Sequence, residues 1–161
     1  MPGRWPPLPH VPIERVFGLL EHLREVPGGR EDLYKLGGPL GYELDDLLPV
    51  TEAAKQLGLA RVASGDIELT SEGRLLAAAE APERKERLRR RLLGVPFLHR
   101  LREALEQAES GRAAKREFLD MLEEEYSPSE ADRQLQTALD WGRYGELFDY
   151  DPDSEEFVLA S

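Results

Sequence analysis

The residue types best suited to binding or chemistry lie in one stretch near the end of the sequence, LDWGRYGELFDYDPDSEEFVL at residues 139–159. We expect a helix to stop at Gly142, which takes a left-handed cap, and Tyr144 to lead into the core. Arg143 is positioned to bond terminal carbonyls or a carboxylate such as Asp140. A structural corner is the first interpretation and a partner-binding corner the second. The candidate residues are Trp141, Gly142, Arg143, Tyr144, Asp149 and Asp151.

A calcium loop is the first chemistry to weigh for these acids. Asp149, Asp151 and Asp153 follow the spacing of the first three ligands of such a loop. The sixth position would be Ser154 where glycine is needed, and the twelfth would be Ala160 where a bidentate glutamate is needed. The pattern therefore favours a solvated acidic hairpin.

Signatures of catalysis and of cofactor binding are missing from the sequence. It has no cysteine, which removes disulfides, thiolate nucleophiles and cysteine-ligated metals. The three histidines, His10, His22 and His99, show neither HxH nor HExxH spacing. No GxxxxGK[ST], GxGxxG or GxSxG motif occurs. We therefore predict a protein that is not an enzyme and holds no metal or cofactor.

The composition is typical of a globular chain. Of 161 residues, 40% are hydrophobic and 33% are charged, which suits one domain or two small ones. No run approaches the roughly 18 apolar residues of a membrane span, and the start MPGRWPPLPH lacks the apolar core of a signal peptide. These features predict a cytoplasmic protein without membrane insertion. The excess of arginine over lysine is typical of thermophiles and of GC-rich genomes.

The net charge of −11 is distributed unevenly. Residues 117–161 contain 2 basic and 14 acidic side chains, whereas residues 82–112 contain 9 basic and 5 acidic ones. The last third is therefore strongly anionic, and it is an available partner for basic segments.

One basic run is a candidate contact for a polyanion. It consists of Arg84, Lys85, Arg87, Arg89, Arg90 and Arg91. Glu83 with Arg87 and Glu86 with Arg90 are four residues apart, and leucines mark a buried stripe on the same helix. This arrangement favours a solvated helix face or a contact with an acidic partner.

Hydrophobic spacing predicts a proline-rich arm over residues 1–12, followed by an amphipathic helix that begins at Ile13 and ends before Pro27. A short helix is expected from about Arg30 to Leu36, and a glycine-rich turn follows it.

The next predicted helix covers residues 43–57. Proline fits only the first turn of a helix without the loss of a hydrogen bond. Pro49 therefore places the start of the regular helix near Leu47 or Leu48. Gly58 suits its C-terminal cap.

A tight turn at residues 64–66 predicts a β-hairpin, and the LTxxGR motif at residues 69–74 leads from it into a helix with Leu75 and Leu76 inside. Helix, short helix, turn, helix and hairpin is the order of a winged-helix domain. The first winged-helix-like module therefore spans residues 13–80.

The second half repeats this order over residues 81–161, after a charged linker helix. Ser127 and Glu130 form a capping box for the helix that is expected to stop at Gly142. A second hairpin turns at residues 152–154. The predicted fold class is mainly α with small β-hairpins (α+β), arranged as two tandem winged-helix-like modules.

An apolar helix face in this second module either closes the core or pairs with a second copy of the chain, as a homo-oligomer. Its residues are Phe97, Leu101, Leu105 and Ala108.

A winged helix suggests DNA binding, but the charges of the two candidate recognition helices oppose it, because contact with phosphates requires basic residues. The helix over 43–57 has Glu43, Asp45, Asp46 and Glu52 against Lys55, and the helix over 128–141 has Glu130, Asp132 and Asp140 against Arg133.

Four stretches carry a family resemblance: LDWGRYGELFDYD, LGLARVASGDIELTSEGRLLAAA, DLLPVTEAAKQLG and RKERLRRRLL. From about Ile13 to Leu159 the chain resembles the C-terminal AAA-associated domain. In many bacteria this domain follows the ATP-binding cassette of nitrate, sulfonate, taurine and bicarbonate-type ABC importers. The sequence WGRY at residues 141–144, with the aspartate-rich hairpin, is the most specific part of the resemblance.

The resemblance implies an accessory or regulatory module of a transport ATPase, with no catalytic residues to transfer. No cassette or Walker motif accompanies it in this sequence, so the expected partner is a separate ABC-type ATPase, or else a different client. Two alternatives stay open. One is a winged-helix transcriptional regulator, and the other is a small-anion sensor in which arginines such as Arg143 and Arg61 converge on a pocket.

Overall fold

The computed structural model describes residues 4–160, which form eight α-helices and two three-stranded antiparallel sheets. The helices are α1 (Ile13–Glu25), α2 (Gly37–Leu40), α3 (Leu44–Gln56), α4 (Ser71–Ala78), α5 (Ala81–Leu93), α6 (Pro96–Gln107), α7 (Lys115–Leu122) and α8 (Pro128–Tyr144). The strands are β1 (Arg30–Asp32), β2 (Ala60–Ala63), β3 (Asp66–Leu69), β4 (Arg112–Ala114), β5 (Phe148–Asp151) and β6 (Glu156–Leu159). The prediction of a mainly helical fold with a little antiparallel sheet is confirmed.

The described chain forms two compact units. The first unit is residues 11–91. The second unit combines residues 4–10 with residues 92–160, so the division falls within α5. Across residues 4–160, none of the helices is both long enough and apolar enough to cross a membrane.

Helix α1 of the first unit forms where its apolar spacing predicts. Ile13, Val16, Leu20 and Leu23 are buried along one face. The helix ends because Pro27 pushes the preceding residue into extended backbone, and Val26 has φ −84° and ψ 135°.

The predicted short helix from about Arg30 to Leu36 is wrong. Residues Arg30–Asp32 form strand β1, and only Leu33–Lys35 form a short 3₁₀ turn. Strand β1 pairs antiparallel with β3, and Arg30 Nε donates a hydrogen bond to the Asp66 carboxylate at 2.8 Å. The free edge of β3 decides the conformation here, because it offers backbone partners that a three-residue stretch cannot supply to itself.

Helix α3 begins at Leu44, and the predicted start near Leu47 or Leu48 is wrong. The carbonyl of Glu43 accepts the N–H groups of Asp46 and Leu47 at 3.0 Å each, so the first turn closes ahead of Pro49. Pro49 therefore lies inside the helix, where it removes the bond to the carbonyl of Asp45. Asp45 is an exposed residue in the first turn of the helix.

The hairpin of β2 and β3 is confirmed. Its turn residues Ser64 and Gly65 have φ of 54° and 81°, the positive values that a two-residue hairpin of the favoured twist requires. The register pairs Ala63 with Asp66 and Ala60 with Leu69. The three strands lie in the order β1-β3-β2.

The second unit is built around α6. The predicted apolar face of α6 packs within the unit, where Phe97, Leu101 and Leu105 are fully buried. Strand β4 was missed by the sequence analysis, and it pairs with β6 to give the order β4-β6-β5. The capping box is formed by Ser127, whose Oγ accepts the N–H of Glu130 at 3.2 Å. A homo-oligomer stays a prediction.

The arm of the sequence analysis contributes residues 4–10 to this second unit, and we call them the docked arm. Trp5 and Leu8 are buried, and the Trp5 ring lies edge-on to Phe97 with centroids 4.9 Å apart. The amide of Gln134 accepts the N–H of Leu8 at 2.8 Å and donates to its carbonyl at 3.0 Å. The carboxylate of Glu125 accepts the N–H groups of residues 4 and 5.

The two units share one order of elements: a helix, a short strand, two helices and a hairpin. Local details correspond as well. The N–H of Leu59 bonds to the carbonyl of Ala54, as that of Leu147 bonds to Gly142, and each pair encloses a residue with positive φ. Arg30 pairs with Asp66 on β3, as Arg112 pairs with Glu156 on β6. The sequence repeat is therefore a repeat of structure.

Candidate functional site

Residues 141–144 of the candidate stretch form the last turn of α8, and the hairpin of β5 and β6 begins four residues later at Phe148. The predicted stop at Gly142 is wrong, because the helix continues to Tyr144. The left-handed residue that ends it is Glu146, with φ of 57°. The bond from the N–H of Leu147 to the carbonyl of Gly142, at 2.8 Å, closes the helix end around it.

Gly142 is needed for space and not for its backbone freedom. A Cβ atom at this position would lie 2.3 Å from Cζ of Phe148, far inside contact distance. Trp141 beside it is completely buried. These two residues therefore pack the second unit, and neither presents a group to a ligand.

Arg143 and Asp149 supply the polar part of the stretch. Arg143 Nε donates to Asp149 Oδ1 at 2.8 Å, so its partner is this carboxylate. The N–H of Tyr150, followed by the Arg143 guanidinium, holds the pKa of Asp149 below its ordinary value, although partial burial opposes the shift. Tyr144 is 37% exposed, and the expectation that it enters the core is wrong.

Asp151 is held by a different arginine. Arg112 Nη1 lies 3.2 Å from Asp151 Oδ2 and 3.4 Å from Glu156 Oε1. Arg112 and the N–H of Asp153 lower the pKa of Asp151. Asp149 thus pairs with an arginine of α8, and Asp151 pairs with an arginine of β4. Over residues 4–160, no three histidine, aspartate or glutamate side chains are grouped to hold a metal ion.

The basic run of α5 is largely engaged by neighbouring residues. The predicted pairs are confirmed, with Arg87 Nε 3.0 Å from Glu83 and Arg90 Nε 3.4 Å from Glu86. Arg84 donates to the carbonyl of Ala77 at 3.1 Å. Arg90 and Glu86 thus lie on a solvated face as predicted, whereas Arg84 and Arg87 are only 26% and 27% exposed and contact Glu21 and Glu72 of the same unit.

A polar cleft of about 510 Å³ opens in the first unit, and we call it the arginine cleft. Its charged lining consists of Arg61, Arg74, Arg91, Glu68 and Glu72. Arg61 contacts Glu68 through Nε at 2.8 Å and Nη2 at 2.5 Å, and this contact lowers the pKa of Glu68. Arg91 Nη2 lies 3.6 Å from Glu72. Of the two arginines named in the sequence analysis, Arg61 lines the cleft, whereas Arg143 belongs to the other unit.

The LTxxGR motif builds one wall of this cleft. Thr70 caps α4, because its Oγ1 accepts the N–H of Gly73 at 3.1 Å and donates to the carbonyl of Gly58 at 2.7 Å. A Cβ at Gly73 would lie 1.9 Å from the carbonyl oxygen of Leu59, so only glycine fits. Arg74 reaches the carbonyl of Gly28 at 2.9 Å. The motif therefore locks the hairpin to α4.

Helix α4 differs from its predicted orientation at one residue. Leu75, expected inside, is 50% exposed, whereas Leu76 is buried. The cleft could not be identified from the sequence, because Arg91 comes from α5 and lies 30 residues from Arg61 in the chain.

Comparison with protein families gives a match to the C-terminal AAA-associated domain over residues 34–151, more than half of the chain. The matched range contains the arginine cleft and the residues proposed around Trp141. The comparison with curated proteins and the comparison with solved structures give no match.

Proposed function

We propose a function from the premise that this chain belongs to the C-terminal AAA-associated domain family. Membership relates the chain to an ATPase partner. The finer proposal is a non-enzymatic, regulatory protein-interaction module that binds a separate ABC-type ATPase, in the manner expected for nitrate or sulfonate importers.

The second part of the proposal concerns fold. Each unit has a helix, a short strand, two helices and a hairpin, and in each sheet the short first strand pairs with the last strand. This order supports a winged-helix-like architecture for both units. In such a domain α3 and α8 occupy the place of the recognition helix.

The outward face of α3 is the observation that carries the proposed partner class. Asp45, Asp46 and Glu52 are exposed on it, and Lys55 lies 3.4 Å from Glu52. Leu48 lies among these acids and is 48% exposed. Acids in the first turn also stabilise a helix, because they interact favourably with the positive end of its dipole. That role does not account for an exposed leucine. An apolar centre with an acidic rim suits a protein partner that presents basic and apolar groups.

Helix α8 is less acidic at its surface than the sequence suggests. Glu130 lies 2.6 Å from His10, and Asp132 lies 2.8 Å from Lys115, so two of its acids are engaged by partners within the second unit. The proposed contact with the ATPase is therefore assigned to α3.

The test combines capture with a matched pair of variants. An ABC-type ATPase with a Walker A motif, recovered from the native cell and then purified, is titrated onto the immobilised chain. Leu48→Glu is expected to weaken binding about tenfold or more, because a desolvated apolar anchor is lost. Leu75→Glu changes a leucine of equal exposure on α4 of the same unit, and it is expected to change binding less than about twofold.

Two outcomes contradict the proposal. One is equal binding of the ATPase by the wild type and by Leu48→Glu. The other is sequence-dependent binding of duplex DNA at low salt, which would favour the transcriptional regulator instead.

A further inference from the structure

We propose that the arginine cleft of the first unit binds a phosphate group, either free or as a small phosphate monoester. In a chain with a net charge of −11, the lining of this cleft is an exception, since three arginines face two glutamates there. The proposal goes beyond the ATPase contact and concerns a different surface from the outward face of α3.

The guanidinium groups retain capacity for a ligand. Arg61 directs two nitrogens at a single oxygen of Glu68, at 2.8 and 2.5 Å. Arg91 lies 3.6 Å from Glu72, beyond hydrogen-bond distance. Each guanidinium carries five N–H donors, and these contacts engage only part of that number.

Two of the arginines lie close to backbone, and one of them is bonded to it. Arg91 rests against Gly58, where a Cβ would lie 2.9 Å from its Nη1. Arg74 is anchored by its bond to the carbonyl of Gly28 at 2.9 Å, and its Nη1 would meet a Cβ at Gly29 at 2.9 Å. An arginine anchored as Arg74 is loses less conformational entropy when it binds a ligand.

The planar shape of the guanidinium groups in the cleft indicates the chemical class of the ligand. Planar guanidinium forks match oxyanions with two or more oxygens on one centre, and such charge-assisted bonds are strong. The two glutamates disfavour a large polyanion, because each additional negative charge would face a carboxylate. The volume of about 510 Å³ exceeds that of a single phosphate, so a monoester with a small organic group also fits.

The first experiment titrates the full chain with inorganic phosphate, sulfate and AMP, at ionic strength matched with sodium chloride. Thermal unfolding and calorimetry are the two measurements. We expect a saturable rise of a few degrees in Tm with phosphate or AMP, because a ligand that binds only the folded state stabilises it. Tighter binding of AMP indicates a monoester site, and tighter binding of phosphate indicates a free anion. No saturable effect from either one overturns the proposal.

The second experiment locates the site. Arg91→Gln is expected to weaken phosphate binding about tenfold, and Arg91→Lys to restore part of it through charge alone. Arg143→Gln removes an arginine of the other unit that also pairs with a carboxylate, and it is expected to leave binding unchanged. Equal losses in Arg91→Gln and Arg143→Gln would show a general charge effect and contradict the site.

A third measurement works on the wild type, and it decides the question even if a variant fails to fold. Amide resonances of Gly58, Ser71 and Glu72 are expected to shift with added phosphate, and those of residues 143–151 are not. Shifts confined to other residues would place the anion elsewhere and overturn the proposal.

Discussion

Two glycines inside helices differ in the space around them. Gly142 in α8 faces the ring of Phe148, and Gly18 in α1 has no atom within 4 Å of a Cβ position. Gly142→Ala is therefore expected to lower the free energy of unfolding by about 1–3 kcal/mol through overpacking. Gly18→Ala is expected to raise it by about 0.5–1 kcal/mol, because alanine is the better helix former. Urea denaturation measures both free energies of unfolding. A loss of stability in Gly18→Ala would contradict the statement that a Cβ at this position meets open space.

Thr51 buries a hydroxyl that gains no partner. The residue is 4% exposed, and its Oγ1 neither donates nor accepts a hydrogen bond among the described residues. Thr51→Val keeps the shape and removes the polar atom, so we expect a gain of about 1 kcal/mol in the free energy of unfolding.

The control is Thr70→Val, where the hydroxyl caps α4 and bonds to the carbonyl of Gly58. A loss of about 1–2 kcal/mol is expected there. Equal effects of the two threonine variants would mean that the Thr51 hydroxyl has a partner.

Glu130 makes part of the stability dependent on pH. Hydrogen bonds from His10 and then from Gln134 lower the pKa of this carboxyl. A carboxyl with a lowered pKa stabilises the fold above its unfolded value, about 4.3, and that contribution is lost as pH falls through the folded value.

Glu130→Gln is therefore expected to reduce the loss of stability between neutral pH and about pH 3, with the smallest difference from wild type at the acidic end. Urea denaturation at a series of pH values measures it. If the free energy of unfolding fell with pH equally in the wild type and in Glu130→Gln, Glu130 would not contribute to the pH dependence.

At the scale of elements, the docked arm depends in part on one buried side chain of α8. Gln134 is buried and satisfies both backbone groups of Leu8, so Gln134→Ala leaves those groups without partners. We expect a loss of about 2–3 kcal/mol in the free energy of unfolding. Gln136 lies on the same helix, is exposed and bonds to Asp132, so Gln136→Ala is expected to change stability by less than about 0.5 kcal/mol.

The fluorescence of Trp5 gives an independent measurement of this effect. In a Trp141→Phe background, Gln134→Ala is expected to shift the emission of Trp5 to longer wavelength as the arm is released. An unshifted spectrum with reduced stability would instead place the effect in α8 itself.

Elements with a long periodic signal could be predicted, and short elements that depend on a distant partner could not. The buried face of α1 and both hairpins follow directly from apolar spacing and turn residues. Strands β1 and β4 have three residues each and exist because β3 and β6 offer an edge. The end of α8 was misplaced because Gly142 was assigned by its usual role as a cap, whereas the ring of Phe148 is what requires it.

The whole molecule repeats one order of elements twice, yet the two units carry charge differently. The first unit has an acidic outward face on α3 and also the arginine cleft, whereas two acids of α8 are engaged by His10 and Lys115. The charged residues of positions 43–57 already indicated the acidic face of α3 in the sequence. The sequence could not indicate the cleft, whose arginines come from a strand, a short helix and a long helix that only folding brings together.

The docking of residues 4–10 in the second unit also has a consequence for protein synthesis. The ribosome makes these residues before the helices that bury Trp5 and Leu8, which follow about 90 or more residues later. During translation residues 11–91 can complete their own core while Trp5 still lacks its binding surface. Residues 11–91 can therefore fold before residues 4–10 meet their partners, and the second unit can close only after both of its segments have been made.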